Sequence, residues 1–550
     1  MKHIYFLLLC FGFAYALSAQ SPTCYRIYLS DKKNSPYSVN YPAQYLSQRA
    51  IEKRIRFKIP ITEQDLPINP QYKELILALH PQIQQLAVSK WMNTFTVYCP
   101  DSTVLPQILN LPFVDSIIAV AAYQLYDNPV IRTDENPSPL IHNVMDYTSK
   151  NDEDYGEGFI QIAMHNGHLL HEAGFRGEGM LIAVIDAGWR SFEELPFYTD
   201  LIDNGRYLGK YSLMPNFIDT LEGLEGSHGT AVTSIMAANE TGRLIGTAPA
   251  SSYVFIVSEN GYSEQLVEED FWANAAEIAD SIGADVVNSS LYYCDFPDFP
   301  QANFSYSELD GQHSVASLCA TILGEKGIVV CIIAGNKGPQ HIGHPADAFN
   351  ILCVGSCTPD SIYAFSAQGY TVDGRVKPDV TAIGQFTACY SPRPGYPSDG
   401  VFMEGGTSFA CPIIAGLSAC LWQALPNYSS SEIMQIIRES GHLYNNPNPQ
   451  LGYGIPDFYK AYTSHTSNVN EKPLQLNVYP NPVSDKLHLI NNCGNILSIN
   501  VYNSSGQLVM RHTAPQSFFL EIDVNHLPRG FYAGVATIEG GRTATFKFVK

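Results

Sequence analysis

Five short apolar segments restrict the fold of this chain more than any other feature of its sequence. Helical patterns lie between several of them, including residues 268–282 and 314–325. Segments that are apolar on both faces indicate parallel strands covered by helices. The sequence therefore predicts an α/β unit with a doubly wound, mostly parallel sheet, helices on both faces, and chemistry beyond the carboxyl ends of the strands. The five segments are residues 181–185, 252–257, 284–287, 328–333 and 351–354.

The length and composition indicate several folded units. At 550 residues the chain exceeds a single typical domain, and its 45% hydrophobic and 15% charged residues allow a large packed core. The formal net charge of −21 argues against nucleic acid and anionic membrane surfaces as partners. No nucleic-acid partner is therefore predicted.

The N-terminus has the pattern of a secretory signal peptide. An apolar block, residues 4–17, follows two polar residues and is closed by small ones. The block is shorter than the roughly 20 residues of a membrane-spanning helix, and no later segment is apolar for long enough to span a bilayer. We therefore predict a signal peptide at 1–19, cut before Gln20 or alternatively after Ala16, and no integral membrane segment. The protein is expected to be exported.

The cysteine count fits export without defining a disulfide. Of twelve cysteines, one lies in the predicted signal peptide, so an odd eleven remain. Cys24 and Cys99 are candidates for a bond within the first unit. Cys353 and Cys357 lack a second pair of ligands, which favours buried thiols over a metal site.

A separate unit precedes the α/β unit. Residues 46–57 have helical spacing with a basic, exposed side, and strand patterns flank them, so the segment 24–127 predicts a small α+β domain. A stretch rich in Pro, Asn and Asp follows, which indicates an exposed linker. We place this domain and its linker at 20–150 and the α/β domain at 151–465.

Four polar residues lie where an α/β unit performs its chemistry. Asp186 ends an apolar strand, His228 opens a helix in GSHGTAV, and Asn336 closes a strand in IIAGN. Each of these, taken alone, is better explained as a turn or capping residue. Ser408 follows two glycines at a helix start in GGTSFACP, where free backbone N–H groups can hold a developing negative charge. An ordinary N-cap serine is the alternative there.

Together the four residues favour a hydrolytic site. The chain order is aspartate, histidine, serine, which is one of the known orders of a catalytic triad. An asparagine before the serine could donate a hydrogen bond in an oxyanion hole. The stretches IAVIDAGW, SHGTAVTSIMAA, IIAGNKG and GGTSFACP resemble the subtilisin-like serine proteases (subtilases, the S8 peptidase family) over residues 156–462. The resemblance implies a serine endopeptidase that hydrolyses peptide bonds in polypeptide substrates through an acyl-enzyme intermediate.

The resemblance also assigns roles to the motif residues. Ser408 would be the nucleophile, His228 the general base and later acid, and Asp186 the group that orients the imidazole. Asn336 and the backbone N–H of Ser408 would hold the oxyanion. The segments that would pair with an extended substrate comprise Ser289, Ser290, Leu291, Tyr292, Ala334 and Gly335.

Three residues depart from the family pattern. Ala187 stands where serine or threonine is usual after the aspartate, so one supporting hydroxyl is absent. Phe409 replaces a common methionine, which changes packing only. Tyr292 stands where glycine is typical, and its ring is expected to narrow or reshape the pocket beside the scissile bond.

The resemblance gives the first unit a function as well. Proteases of this family often carry an N-terminal prodomain that assists folding and inhibits the active site until it is removed; a permanent accessory domain is the alternative. Calcium is frequent in the family, but no acidic run is strong enough for a site to be assigned. No metal ligand and no cofactor is predicted.

The C-terminal residues 473–550 predict a small β-sandwich. Short alternating strands separated by turns follow a polar linker at 463–468. The stretches YPNPVSDKLHL, VYNSSGQLV and LPRGFYAGVATIEGGRTATFKFVK resemble C-terminal sorting domains of the type IX secretion system of Bacteroidetes. That resemblance implies secretion to the surface or exterior of a Gram-negative cell with this machinery as a partner. A generic carbohydrate- or protein-binding β module is the alternative.

Two functions of different classes follow from these patterns. The leading one is a secreted endopeptidase made as a precursor. The other is a catalytically silent surface or adhesion protein on the same scaffold, which would be expected to have lost at least one of the four site residues.

Overall fold

The computed structural model describes ten stretches of the chain: 22–122, 152–214, 226–259, 263–358, 365–392, 400–471, 476–491, 496–517, 519–538 and 542–550. The predicted signal peptide and most of the predicted linker before residue 155 lie outside these described residues. Both remain predictions, as do the domain boundaries.

The N-terminal unit is an antiparallel sheet with the strand order β2–β3–β1–β4. Its apolar side chains, among them Ile27, Phe95 and Ile108, form a core of their own. The α+β expectation is therefore confirmed. The elements are β1 Cys24–Leu29, helices Gln48–Arg56 and Pro70–Leu77, β2 Gln84–Ser89, β3 Thr94–Tyr98, helix Leu105–Leu109 and β4 Val114–Ala121.

The expectation of an exposed basic side on the first helix is wrong. Lys53 and Arg54 in helix Gln48–Arg56 are buried. Arg54 forms ion pairs with Asp280 (2.8 Å) and Asp65 (3.2 Å), and Lys53 pairs with Asp285 (3.1 Å). Because two of these carboxylates belong to the α/β unit, the basic side is a contact surface between the two units.

The α/β unit is built on a seven-stranded, fully parallel sheet with the order β15–β12–β11–β10–β5–β9–β6. Strand β5 shows why the sequence folds this way, since all six of its residues are buried. Ile182 and Val184 enter one core, which contains helix Thr407–Ala424. Ala183 and Ile185 enter the core on the other face, which contains helix Glu268–Ile282. The predicted doubly wound arrangement is confirmed.

The bounds of the α/β unit's elements follow in chain order. They are helices Asp152–Tyr155, Phe159–Ala163 and Gly167–Glu172, β5 Leu181–Asp186, helix Pro196–Asp203, β6 Tyr207–Ser212, helix His228–Ala237, β7 Asn239–Glu240, β8 Leu244–Ile245, β9 Ser252–Val257, helix Glu268–Ile282, β10 Val286–Ser289, helix Val315–Glu325, β11 Val329–Ile333, β12 Leu352–Cys357, β13 Gly369–Tyr370, β14 Val376–Lys377, β15 Val380–Ile383, β16 Gln385–Tyr390, β17 Val401–Gly405, and helices Thr407–Ala424, Ser430–Ser440 and Phe458–Glu471.

Helix Thr407–Ala424 is, within the described stretches, the one helix long and apolar enough to cross a membrane. Its apolar face is explained by the core of the α/β unit, because 89% of its residues are buried there. The length and hydropathy of this helix thus reflect its central position in the fold.

The chain order of the sheet reverses between β5 and β10. From β5 the chain moves to β6 and β9 on one side, then returns to add β10, β11 and β12 on the other. Parallel α/β sheets bind their ligands at such a reversal, beyond the carboxyl ends of the strands. Asp186 ends β5 and Ser289 ends β10. The sheet therefore places both residues at the expected edge.

The region after the α/β unit differs from expectation at its start. The predicted polar linker at 463–468 belongs to helix Phe458–Glu471, which continues through it. The C-terminal β-sandwich is confirmed, because three-stranded and four-stranded antiparallel sheets share one core. Strands β21 and β24 were not predicted. The strands are β18 Leu476–Tyr479, β19 Lys486–Asn491, β20 Ile496–Asn503, β21 Leu508–Ser517, β22 Phe519–Asp523, β23 Phe531–Ile538 and β24 Arg542–Val549.

The described cysteines form no disulfide. Cys24 and Cys99 are buried without a bond between their sulfur atoms. Cys353 and Cys357 lie in β12, where burial raises the pKa of each thiol to about 12. All four act as small apolar groups in this fold.

Candidate active site

The carboxylate of Asp186 and the imidazole of His228 meet at the carboxyl edge of the sheet. Asp186 Oδ1 lies 2.7 Å from His228 Nδ1 and 2.8 Å from the backbone N of Ala187. Asp186 is fully buried, whereas the side chain of His228 is 36% exposed. A buried carboxylate of this kind holds the ring in one orientation.

The residue after Asp186 affects the hydrogen bonding of the Asp186 carboxylate. Oδ2 of Asp186 is buried and has no hydrogen-bond partner among the described residues. Serine or threonine at position 187 would offer a hydroxyl donor, and Ala187 has none. The orphaned oxygen is the structural counterpart of the departure seen in the sequence.

The turn before Ser408 requires its glycine. Strand β17 ends at Gly405, helix Thr407–Ala424 begins two residues later, and Gly406 between them has φ +145°. Residues other than glycine rarely adopt that backbone conformation. The sharp turn puts Ser408 at the second helical position, where its backbone N–H has no partner four residues earlier.

A proline in the helix links Ser408 to strand β10. Pro412 has no N–H, so the carbonyl of Ser408 receives no helical hydrogen bond from it. The hydroxyl of Ser290 donates to that carbonyl at 3.1 Å instead. Next along the helix, the ring of Phe409 lies 5.8 Å from that of His228. The serine turn and the histidine therefore lie side by side.

Asn336 is oriented by the residue before the serine. It lies three residues beyond β11, the neighbour of β10. Its Oδ1 accepts hydrogen bonds from the backbone N (2.8 Å) and the hydroxyl (2.9 Å) of Thr407. Because the oxygen is fixed in this way, the amide nitrogen is the end available to a ligand. Thr407 was not singled out in the sequence, although it adjoins Ser408.

Two chain segments flank the site, one after β10 and one after β11. Side chains of the first are used in packing: Ser289 Oγ accepts from Trp272 Nε1 at 2.9 Å, and Leu291 is buried. In the second, Ala334 is buried and its N–H donates to Val354 O, within the sheet. A ligand would therefore have to pair with main-chain groups of the first segment, because the N–H of Ala334 and the carbonyl oxygens of Ala334 and Gly335 are already hydrogen-bonded within the protein.

Tyr292 fills the space between the two flanking segments. A methyl group placed on Gly335 or Gly343 would lie 3.1 or 2.7 Å from Cδ2 of Tyr292. The ring therefore covers both glycines. The expected narrowing of the pocket has a geometric basis in these contacts.

Sequence reasoning missed an acidic group close to this edge. Glu259 follows β9. Its pKa is raised well above the usual value, first by burial and then by the negative charges of Glu264 and Asp186. The signal was the recurrence of glutamate at positions 259, 264 and 268. One oxygen from each of the three lies within 4.8 Å of the others.

Three family profiles match the chain in order. Residues 177–454, about half of the chain, match the Subtilase family. Residues 24–135 match the Peptidase S8 propeptide domain of Bacteroidota, and residues 477–550 match the Secretion system C-terminal sorting domain. The resemblances read from the sequence are thereby confirmed at both ends and in the centre.

Curated relatives are similar over the central part only. Serine protease AprX of Bacillus subtilis is 25% identical over 53% of this chain and 66% of its own length. Subtilisin-like protease PopC of Myxococcus xanthus is 27% identical over 49% of this chain and 57% of its own length. The chain thus spans less than two thirds of either relative. The solved structure of Prenylagaramide maturation protease PagA covers 55% of this chain and 99% of its own at 18% identity and a TM-score of 0.43.

Proposed function

This chain belongs to the subtilase family, and on that premise we propose that it is a secreted serine endopeptidase, made as a precursor, that cuts polypeptides through Asp186, His228 and Ser408. The observation that carries the proposal is the 2.7 Å contact between the imidazole of His228 and the buried carboxylate of Asp186, beside the turn that bears Ser408. A silent scaffold would have no need to keep this arrangement.

The reaction begins with proton transfer from the serine. Asp186 accepts from Nδ1–H of His228, which leaves the far ring nitrogen unprotonated and basic. That nitrogen takes the proton of Ser408 as Oγ bonds to the scissile carbonyl carbon. Asp186 then stabilises the imidazolium ion without becoming protonated itself.

The negative charge that develops on the carbonyl oxygen needs donors already in place. The amide nitrogen of Asn336, whose oxygen is held by Thr407, is one donor, and the backbone N–H of Ser408 is the other. Collapse of the tetrahedral species transfers the imidazolium proton to the leaving amine and forms the acyl-enzyme. Water, deprotonated by His228, then releases the acid product.

The substrate would bind as an extended strand between the two flanking segments. Residues 289–292 border the site on one side and residues 334–335 on the other, and main-chain groups of the first segment would pair with the substrate. The ring of Tyr292 over Gly335 limits the depth available to the side chain before the scissile bond. We infer a preference for small residues at that position.

The contacts of the propeptide support the proposal that the protein is made as a precursor. Its last described residues are held by the α/β unit: Ala122 N donates to Gln265 Oε1 at 2.7 Å, and Val267 N donates to Val120 O at 3.0 Å. The last described residues of the propeptide therefore lie against residues 265–267 of the α/β unit. Removal of this unit after export would open the site to other polypeptides.

The sorting domain supports export of the precursor to the cell surface or beyond it by the type IX machinery. The predicted signal peptide would carry the chain across the inner membrane first. We infer that the C-terminal β-sandwich is then recognised by the secretion machinery, which makes that machinery a partner of this chain.

Hydrolysis of an unfolded protein tests the proposed function. Purified wild type and Ser408→Ala are incubated with a denatured protein substrate, and new amino termini are counted over time. The proposal predicts cleavage by wild type and none above background by Ser408→Ala. Equal rates for the two proteins would refute the assignment, and no cleavage by fully processed wild type would favour the silent scaffold.

A further inference from the structure

The segment that contains Gly343 and His344 packs against the ring of Tyr292 and connects the two segments that flank the candidate site. Tyr293 N donates to His344 O at 2.7 Å, and His344 N donates to Tyr293 O at 2.8 Å. On the other side, Gly343 N donates to Ala334 O at 3.4 Å. A methyl group on Gly343 would lie 2.7 Å from Cδ2 of Tyr292. The position of this segment therefore limits where the Tyr292 ring can lie.

A buried ion pair holds the segment on its far side. The side chains of His344, Asp347 and Ser317 are fully buried. Nδ1 of His344 lies 3.0 Å from Oδ1 of Asp347, and the Ser317 hydroxyl donates to the same oxygen at 2.5 Å. Gly311 N donates to the other carboxylate oxygen at 2.7 Å. Asp347 therefore ties the imidazole to helix Val315–Glu325 and to the loop before it.

The rest of the imidazole is enclosed by apolar contacts. The ring of Phe304 lies 4.2 Å from that of His344, at an angle of 66°. Phe304 N in turn donates to the carbonyl of Cys294, next to Tyr293, at 3.0 Å. Nε2 of His344 is buried and has no hydrogen-bond partner within the described stretches. The orientation of the ring therefore depends on what Nδ1 contacts, above all on Asp347.

Negative charges surround the imidazole. Burial alone would lower the pKa of His344. The hydrogen bond and charge of Asp347, and then the charges of Glu269 and Glu308, outweigh burial and raise that pKa above the usual value of about 6.5. Glu269 belongs to helix Glu268–Ile282, on the opposite side of the ring's own segment from Tyr292's. The protonated ring is thus the counter-charge of these carboxylates.

We propose that His344, held by Asp347, is a positioning residue that fixes the Tyr292 ring and so keeps the pocket before the scissile bond shallow. This role rests on the proposed peptidase function. His344 would touch neither the substrate nor the reacting atoms, because its side chain is fully buried. It would act through its main-chain pairing with Tyr293 and through the contact of Gly343 with the Tyr292 ring.

Two substitutions at His344 separate positioning from simple packing. The processed wild type and its variants hydrolyse matched peptides, blocked at both ends, with phenylalanine or alanine before the scissile bond. His344→Leu fills the space but removes the donor to Asp347, so the ratio of kcat/KM for phenylalanine to that for alanine should rise about fivefold or more. His344→Asn can place an amide donor where Nδ1 lies and should restore a ratio near that of the wild type.

The outcomes distinguish this role from the function on which it rests. His341→Gln, at an exposed histidine of the same stretch, is the matched control and should keep the wild-type ratio. A wild type that hydrolyses the peptides while His344→Leu retains the wild-type ratio would overturn the role of His344 and leave the peptidase function intact. A processed wild type that hydrolyses neither peptide would overturn both.

The pH dependence of the same ratio tests the role without a substitution. The counter-charge is complete below about pH 6.5 and is lost as the pH rises through the raised pKa of His344. The ratio in the wild type should therefore rise between about pH 6 and 10, and that of His344→Asn should stay level. Titration of His228 affects both peptides equally and cancels. A wild-type ratio that is constant over this range would overturn the proposal.

Discussion

Arg26 of the propeptide sheet forms a two-point ion pair with Asp270 of the α/β unit. Arg26 Nε lies 2.7 Å from Asp270 Oδ1, and a terminal guanidinium nitrogen lies 2.6 Å from Oδ2. The hydroxyl of Thr96 donates to Oδ1 as well, at 2.7 Å. Both charged side chains are almost completely buried. The pair therefore specifies how the propeptide sits on helix Glu268–Ile282.

Removing one partner of this pair should loosen the propeptide. Arg26→Met leaves the Asp270 carboxylate buried without its cation, at a cost of about 3–5 kcal/mol. In full-length protein carrying Ser408→Ala, backbone hydrogen exchange in β1 and β3 should become correspondingly faster. Adding Asp270→Leu should restore much of the protection, because the orphaned charge is removed. Unchanged exchange in Arg26→Met would contradict this account.

Asn336 should influence the rate of reaction rather than substrate binding. Asn336→Ala removes the proposed side-chain donor to the oxyanion and should lower kcat about 10²–10³-fold with little change in KM. Thr407→Val keeps the donor and loses one of the two hydrogen bonds that orient it, so its effect should be smaller. A rise in KM at constant kcat for Asn336→Ala would place the residue in ground-state binding instead.

Tyr292 should control the residue accepted before the scissile bond. Tyr292→Gly uncovers Gly335 and Gly343 and makes room for a large side chain. The ratio of kcat/KM for a phenylalanine peptide to that for the matching alanine peptide should rise about tenfold or more. Tyr370→Gly, at an exposed tyrosine, serves as the control. An unchanged ratio would show that the ring does not limit the pocket.

Two buried histidines should make the α/β unit sensitive to acid. Burial lowers the pKa of His165 to about 4, and burial together with the charge of Arg176 lowers that of His171 to about 3. Both titrate at about 6.5 when unfolded, so the unfolded chain binds more protons below that pH. The free energy of unfolding should therefore fall as the pH drops from about 6.5 towards 4, by up to about 1.4 kcal/mol per pH unit for each histidine.

Urea unfolding of Ser408→Ala protein between pH 7 and 5 measures this slope. His165→Asn removes a titrating group and retains a donor for the carbonyl of Pro456, which the ring nitrogen approaches at 2.9 Å. The slope of this variant should be shallower than that of the parent. A parent whose stability does not change over this range would contradict the prediction.

The sequence predicted those parts of the fold that depend on local signals. The apolar run ending at Asp186 and the helical spacing of residues 268–282 can be recognised in the sequence. Burial of a sheet or helix face requires apolar residues at short, regular intervals. The order of the motifs predicted the candidate site, because parallel strands bring their carboxyl ends to one edge of the sheet.

Long-range charge pairing could not be read in the same way. Lys53 and Arg54 look like solvent-facing residues until Asp285 and Asp280, more than 200 positions later, are brought against them by the fold. The link from Ser290 to the carbonyl freed by Pro412 is another example, because neither residue signals the other in sequence. Such contacts belong to the packing of units and not to local pattern.

Labelling with a fluorophosphonate probe tests the central claim most directly, because the probe reacts with an activated serine and not with an ordinary helix-capping one. Processed wild type is treated with the probe, digested, and mapped by mass spectrometry, with heat-denatured protein and Ser408→Ala as controls. The account predicts a single adduct on Ser408, absent from both controls. No adduct on native protein, or an adduct on another serine that persists in Ser408→Ala, would contradict it.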